Sequence, residues 1–177
     1  MRVLGVAAGV VALAIAALLA YAATRPDDFR VQRSATIQAP PERIYANLAD
    51  FQRWPAWSPW EKRDPQMKRT MSTPSSGKGA TYAWQGNKEV GSGRMRIVDA
   101  QEAKRLGIKI DFLEPFEAHN DVEFTLRPKD GGTEVTWAMH GPATLITKLM
   151  GLFFSMDAMI GRDFEAGLAS LKAVAEK

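Results

Sequence analysis

The sequence predicts an α+β fold: a curved antiparallel sheet of six to seven strands wrapped on a long C-terminal helix, behind an N-terminal transmembrane helix. Three observations predict it. Between Met67 and Met139, apolar and polar residues alternate in segment after segment, separated by clusters of Gly, Pro, Asn and Asp. Alternation at period two marks half-buried strands. From Ile146 to Val174, apolar residues recur every three or four positions, the period of a helix. Residues 3–23, VLGVAAGVVALAIAALLAYAA, contain no charge.

The apolar N-terminal run comes first. As a helix its 21 residues span about 31 Å, the thickness of a bilayer core. The rival reading is a signal peptide cleaved near Ala22, at the small-residue site Ala20-Tyr21-Ala22. The run exceeds a usual signal core of about 7–15 residues, which favours a retained anchor. Arg2 lies on one flank, and Arg25, Arg30 and Arg33 on the other, so the positive-inside rule pulls both ways. The expectation is a single-pass protein of a bacterial inner membrane with its domain outside the cytoplasm. The alternative is a secreted or periplasmic domain. The chain divides into residues 1–24 as anchor or signal, 25–29 as linker and 30–177 as one domain.

Within the domain, Phe29, Val31, Ala35 and Ile37 share one face of a first strand. Pro40-Pro41-Glu42 opens a short helix through Leu48, since proline suits a first helical turn. Asp50 can cap a further turn. That turn leads into FQRWPAWSPW (51–60), which holds Trp54, Trp57 and Trp60 at a spacing of three. Pro55 and Pro59 forbid a long regular helix there and leave one or two tight turns. Short strands then follow around Met67–Met71, Ala80–Trp84, Arg94–Ile97, Leu106–Phe112, Val122–Arg127 and Thr133–Met139. Gly91-Ser92-Gly93 reads as a bulge or bend, and Lys129-Asp130-Gly131-Gly132 as a hairpin turn. Gly151, Gly161 and Gly167 mark a break in the last helix or a close approach to the sheet.

Composition removes several classes of function. With no Cys, a disulfide scaffold, a thiolate metal site and a Cys nucleophile are excluded. A net charge of +3, scattered along the chain, is too weak for a nucleic-acid footprint. The two histidines, His119 and His140, have no ligand partner at short spacing, so no metal and no cofactor are expected. A strongly twisted sheet curls, and one helix laid across it does not fill the concave side. Trp84, Met95, Trp137, Met139, Phe153, Met156 and Met159 point inward, and Met suits sites that repack. An apolar cavity, or a core that nearly has one, is the consequence.

The stretches WSPWEKRDP (57–65), YAWQGNKEVGSGRMRI (82–97), DFLEPFEAHN (111–120), GTEVTWAMHG (132–141) and GRDFEAGLASLK (161–172) then carry a resemblance. In this order, over residues 30–175, the chain resembles the SRPBCC (START/Bet v 1-like) superfamily, most closely its polyketide cyclase/dehydrase and lipid-transport branch. The resemblance implies a helix-grip fold with a deep pocket between sheet and C-terminal helix. It also implies an apolar ligand, lipids included, and supplies no universal catalytic motif. The N-terminal membrane segment is not part of that fold.

The candidate ligand-pocket residues are Trp57, Trp60, Tyr82, Trp84, Met95 and Ile97, with Phe112, Trp137, Met139, Phe153, Met156 and Ile160. Of the three clustered indoles, Trp54 and Trp57 are expected to close the core and Trp60 to touch ligand or membrane. Weak catalytic candidates are Asp157, His140 and Tyr82. Asp157 would have to face inward, where burial would raise its pKa and make it a general acid. Asp163, beside Arg162, is placed at the surface. The favoured reading is a membrane-tethered domain that binds an apolar small molecule or lipid without catalysis. The alternatives are a polyketide cyclase/dehydratase-like enzyme and an envelope interaction or stress protein with a filled pocket.

Overall fold

The computed structural model describes residues 2–152 and 155–177, with side chains described from residue 9. The elements, in chain order, are α1 (Arg2–Ala23), β1 (Asp28–Ile37), α2 (Pro41–Leu48), β2 (Lys68–Met71), β3 (Thr81–Gln85), β4 (Ser92–Gln101), β5 (Arg105–Glu114), β6 (Ala118–Lys129), β7 (Gly132–Pro142), α3 (Leu145–Met150) and α4 (Met156–Ala175). Two 3₁₀ turns, Phe51–Ala56 and Pro59–Lys62, join α2 to β2. One seven-stranded sheet runs β1-β7-β6-β5-β4-β3-β2, with every neighbouring pair antiparallel.

Local chemistry sets the boundaries. Pro40 and Pro41 start α2, where a missing N–H costs nothing. The Asp50 carboxylate accepts from the Gln52 N–H and the Ser75 hydroxyl, which fixes the entry to the Trp stretch. Asp130 and Gly131 both adopt positive φ, as a two-residue hairpin between β6 and β7 requires. The β4–β5 register shifts at two points: Leu113 of β5 is the extra residue opposite Ser92 and Gly93, and Val98 of β4 is the extra residue opposite Ile108 and Gly107, irregularities of the kind that bend a sheet.

The helical tail divides at Gly151. Thr144 caps α3 by accepting from the Thr147 N–H, and Ser155 caps α4 through the Ala158 N–H. α3 has no buried residue: Leu145 and Ile146 are exposed, and the helix packs against α1 rather than into the core. The apolar period of this short segment therefore does not report burial in the domain. α4 lies over the sheet and buries Phe164, Leu168, Leu171 and Ala175.

Two glycines let α4 approach its neighbours: Gly161 faces the Arg33 guanidinium, and Gly167 faces the Trp137 ring. A Cβ at Gly167 would lie 2.6 Å from that ring and 3.1 Å from Pro59. Ala would gain about 1 kcal/mol in helix propensity. Forcing it against a buried indole costs about 1–3 kcal/mol. Gly167→Ala is thus expected to destabilise the protein on balance, as measured by urea unfolding. A stabilised variant would show that the helix can slide off the indole freely.

α1 takes up the uncharged N-terminal run. Among the described residues, no helix is both long and apolar enough to cross a membrane. Val10, Val11, Leu13, Ile15, Leu18 and Leu19 of α1 are all exposed.

Candidate functional site

The concave face of the sheet and α4 enclose a cavity of about 440 Å³, within the usual range of small-molecule pockets. Strand register builds its wall in rows. Tyr82, Met95, Ile110 and Asn120 stand side by side across β3 to β6. Ile97, Ile108, Val122 and Met139 form the next row. Leu106, Phe124 and Trp137 form a third. At this third row the space is filled by rings. Trp137 stacks on Phe164 with centroids 4.2 Å apart and planes at 9°, and it meets Trp57 and Trp60 edge-on. On the helix side, Met156 and Ile160 line the cavity beyond Phe164 and Asp163.

One charged cluster sits on this apolar wall. Glu61, in the second 3₁₀ turn, is 8% exposed and lines the cavity. Its carboxylate accepts from the Tyr82 hydroxyl at 2.7 Å and from Arg69 Nε at 2.6 Å. Arg69 is further held by the Met67 carbonyl. Burial first, and then the bond to Glu61, pushes the Tyr82 phenol well above its usual range. Tyr82 is therefore a fixed donor at neutral pH, and its proton is committed to Glu61.

The candidate residues fall in different places. Trp60, Tyr82, Trp84, Met95, Phe112, Trp137, Met139, Met156 and Ile160 border the cavity. Trp57 and Ile97 do not: both are fully buried behind it. Phe153 lies outside the described residues. Trp54 also reaches the cavity, although it was assigned to the core. Its indole N–H donates to the Leu48 carbonyl, while that of Trp57 donates to the Asn47 carbonyl.

Two catalytic candidates are corrected. Asp157 faces outward, its side chain 60% exposed, in an ion pair with Arg33 at 2.9 Å. That bond lowers its pKa, the reverse of what a general acid needs. His140, near the end of β7, does not line the cavity; its side chain is half-exposed, with Nε2 4.0 Å from Asp121. Asp163 departs from its surface assignment, because it borders the cavity and pairs with Arg63.

Sequence reasoning missed Glu61, Arg69 and Asn120. Asn120 was readable: it shares the inward parity of Val122, Phe124 and Leu126. Glu61 carried no such signal, because a 3₁₀ turn between prolines has no sheet or helix period.

The mouth of the cavity is bordered by the β5–β6 turn, with Glu114, Glu117 and His119, and by Pro142 and Thr144. His119 Nδ1 lies 2.7 Å from the Asp111 carboxylate. This bond raises the imidazole pKa above its ordinary 6.5. A raised folded value means that the pair stabilises the fold fully below about 6.5. The contribution is lost as pH rises through the folded value. A histidine NMR titration is expected to give a midpoint above 6.5 for His119, and Asp111→Asn should return it to the ordinary range. An unshifted wild-type midpoint would refute the pair.

A curved antiparallel sheet gripping a C-terminal helix around an apolar cavity defines the helix-grip class of proteins. Within that class the chain belongs to the polyketide cyclase / dehydrase and lipid transport family, whose model matches residues 28–176. Solved structures are similar in fold. Protein CV1439 from Chromobacterium violaceum superposes with a TM-score of 0.59 at 16% identity, over 86% of this chain and 99% of its own. The Aha1 dimer from Colwellia psychrerythraea gives 0.56 at 18% identity, over 84% and 96%. The di-domain ARO/CYC StfQ from the steffimycin biosynthetic pathway gives 0.61 at 12% identity, over 84% of this chain and 51% of StfQ. No curated protein matches the chain significantly.

Proposed function

We propose that this protein is a membrane-tethered binding domain for an apolar small molecule or lipid, held by α1 in a bacterial inner membrane with the domain outside the cytoplasm. The observation that carries the reading is the cavity of about 440 Å³, walled mainly by aromatic, Met and branched aliphatic side chains. A void of that size with such walls holds water poorly and rewards an apolar guest. The placement of α1 supports the tether. It packs on α3, whose Thr147 borders the cavity. Exposed Leu113, Phe116, Leu145, Ile146, Met150 and Met159 lie at the end of β5, in the β5–β6 turn, in α3 and at the start of α4, segments that also supply the cavity-lining Phe112, Pro115, Thr147 and Ile160. Apolar surface collected at one end of a domain marks an interaction site.

Native mass spectrometry with organic extraction, applied to the full chain purified from membranes, tests the binding. A bound apolar molecule is expected, and repeated recovery of none would overturn it. A reporter fused after Lys177 tests the topology, with activity expected outside the cytoplasm.

A further inference from the structure

The charges at the cavity are all of one sign except for a single imidazole. Glu61, Glu89, Glu114, Glu117 and Asp163 border it, together with His119. Among the described residues, no lysine or arginine does. The arginines that serve these acids stand outside the lining. Arg69 holds Glu61, and Arg63 holds Asp163. Among the described residues, Glu114 receives only the Ser92 hydroxyl at 3.2 Å, and Glu117 lies 3.4 Å from His119 Nε2. The chain as a whole carries +3, so the acidic lining runs against the overall balance. Charge on the buried Glu61 acts on a ligand more strongly than the same charge on the exposed Glu114 and Glu117.

Two acceptors lie deeper in the wall, on Glu61 and Asn120, while the Trp137 indole N–H is the unpartnered donor there. The Glu61 carboxylate has acceptor capacity beyond its bonds to Tyr82 and Arg69. Asn120 lines the cavity in the same row as Tyr82, is 7% exposed, and its Oδ1 has no hydrogen-bond partner. Its amide nitrogen is engaged only with the Met139 sulfur at 4.0 Å. Rotation about an amide χ2 is soft, so a ligand donor can draw that oxygen towards it. A buried unpaired acceptor is unfavourable, and a donor-bearing guest would relieve it.

Resting on the binding function proposed above, we infer that the cavity selects amphiphiles whose polar end donates hydrogen bonds, amines foremost and alcohols next, and rejects carboxylates and phosphates. An anionic head would enter past Glu114 and Glu117 and then face Glu61, with no guanidinium or ammonium within the lining to receive it. An ammonium or hydroxyl finds the Glu114 and Glu117 carboxylates at the rim and Glu61 deeper, with the Asn120 oxygen reached once its amide turns.

The test uses the full chain in a non-ionic detergent at pH 7, loaded with the neutral fluorophore N-phenyl-1-naphthylamine, with empty micelles as the blank. Decylamine, decanol and decanoate, matched in chain length, then compete. Decylamine is expected to displace the fluorophore at least about tenfold more effectively than decanoate, with decanol between them. Glu61→Gln, or the double variant Glu114→Gln/Glu117→Gln at the open rim should the first not fold, is expected to narrow that gap. Decanoate competing as well as decylamine would overturn the inference and leave the binding function standing. A fluorophore that never binds the wild-type chain would overturn both.

Discussion

Trp137→Ala is expected to destabilise the protein by about 3–5 kcal/mol, the usual cost of truncating a buried aromatic residue. Trp137 is 2% exposed and touches four other rings. It stacks on Phe164, and so joins β7 to α4. Each aromatic pair adds about 0.5–1.5 kcal/mol beyond area. At roughly 2–4 °C per kcal/mol for a domain of this size, the melting temperature should fall by about 6–20 °C. Trp137→Phe is the control. The indole N–H is buried without a partner, so removing it sacrifices no hydrogen bond. That variant should lose less than about 1.5 kcal/mol. Urea unfolding followed by circular dichroism gives both numbers. Equal losses in the two variants would show that ring stacking is not what joins helix to sheet.

Val122→Trp is expected to lower affinity for an apolar fluorophore by more than about tenfold while shifting the melting temperature by only a few degrees. Val122 lies in the middle row of the wall, between Ile108 and Met139, and borders the open space. Overpacking a filled core costs about 1–3 kcal/mol. Here an indole projects into a void of about 440 Å³, so the added apolar contact offsets that strain. Unchanged binding would mean that the fluorophore sits elsewhere, on the exposed apolar rim for example. A collapse in stability would mean that the void is smaller in solution than its walls suggest.

The fold was legible because period and punctuation carried it. β3 to β7 follow alternating apolar residues, and the β6–β7 hairpin falls at Asp130-Gly131 as turn chemistry requires. The cavity wall was legible for the same reason. Tyr82, Met95 and Met139 have the inward parity of their strands, and a curved sheet gathers that parity onto one concave face. Parity does not give depth. Ile97 shares the inward face yet lies fully buried behind the cavity, and Trp57 is likewise enclosed by Trp54, Phe124 and Trp137.

The catalytic candidates were misplaced for a different reason. Asp157 next to Met156 was compatible with either side of a helix start. Its partner, Arg33, lies 124 positions away on β1, and that ion pair turned the carboxylate outward. Glu61 is the converse case. Nothing in PWEK distinguishes it from a solvated acid, and it is buried only because Arg69 and Tyr82 arrive from β2 and β3 to satisfy it.

The sequence by itself determined the element order and the inward face of each strand, and left open whether the last helix breaks near Gly151 or Gly161 or only approaches the sheet there. What it determined depends on periodicity and on backbone preference within a few residues. The tertiary structure alone decided which of those inward side chains meet a filled core and which meet open space. It also decided which acids reach the cavity. Those outcomes depend on strand register and on how closely α4 sits at Gly167, and both are set by contacts between residues far apart in the chain. The three indoles of FQRWPAWSPW illustrate the division. Their spacing predicted tight turns, but only the packing of Trp137 on Phe164 placed Trp57 inside and left Trp54 and Trp60 at the cavity.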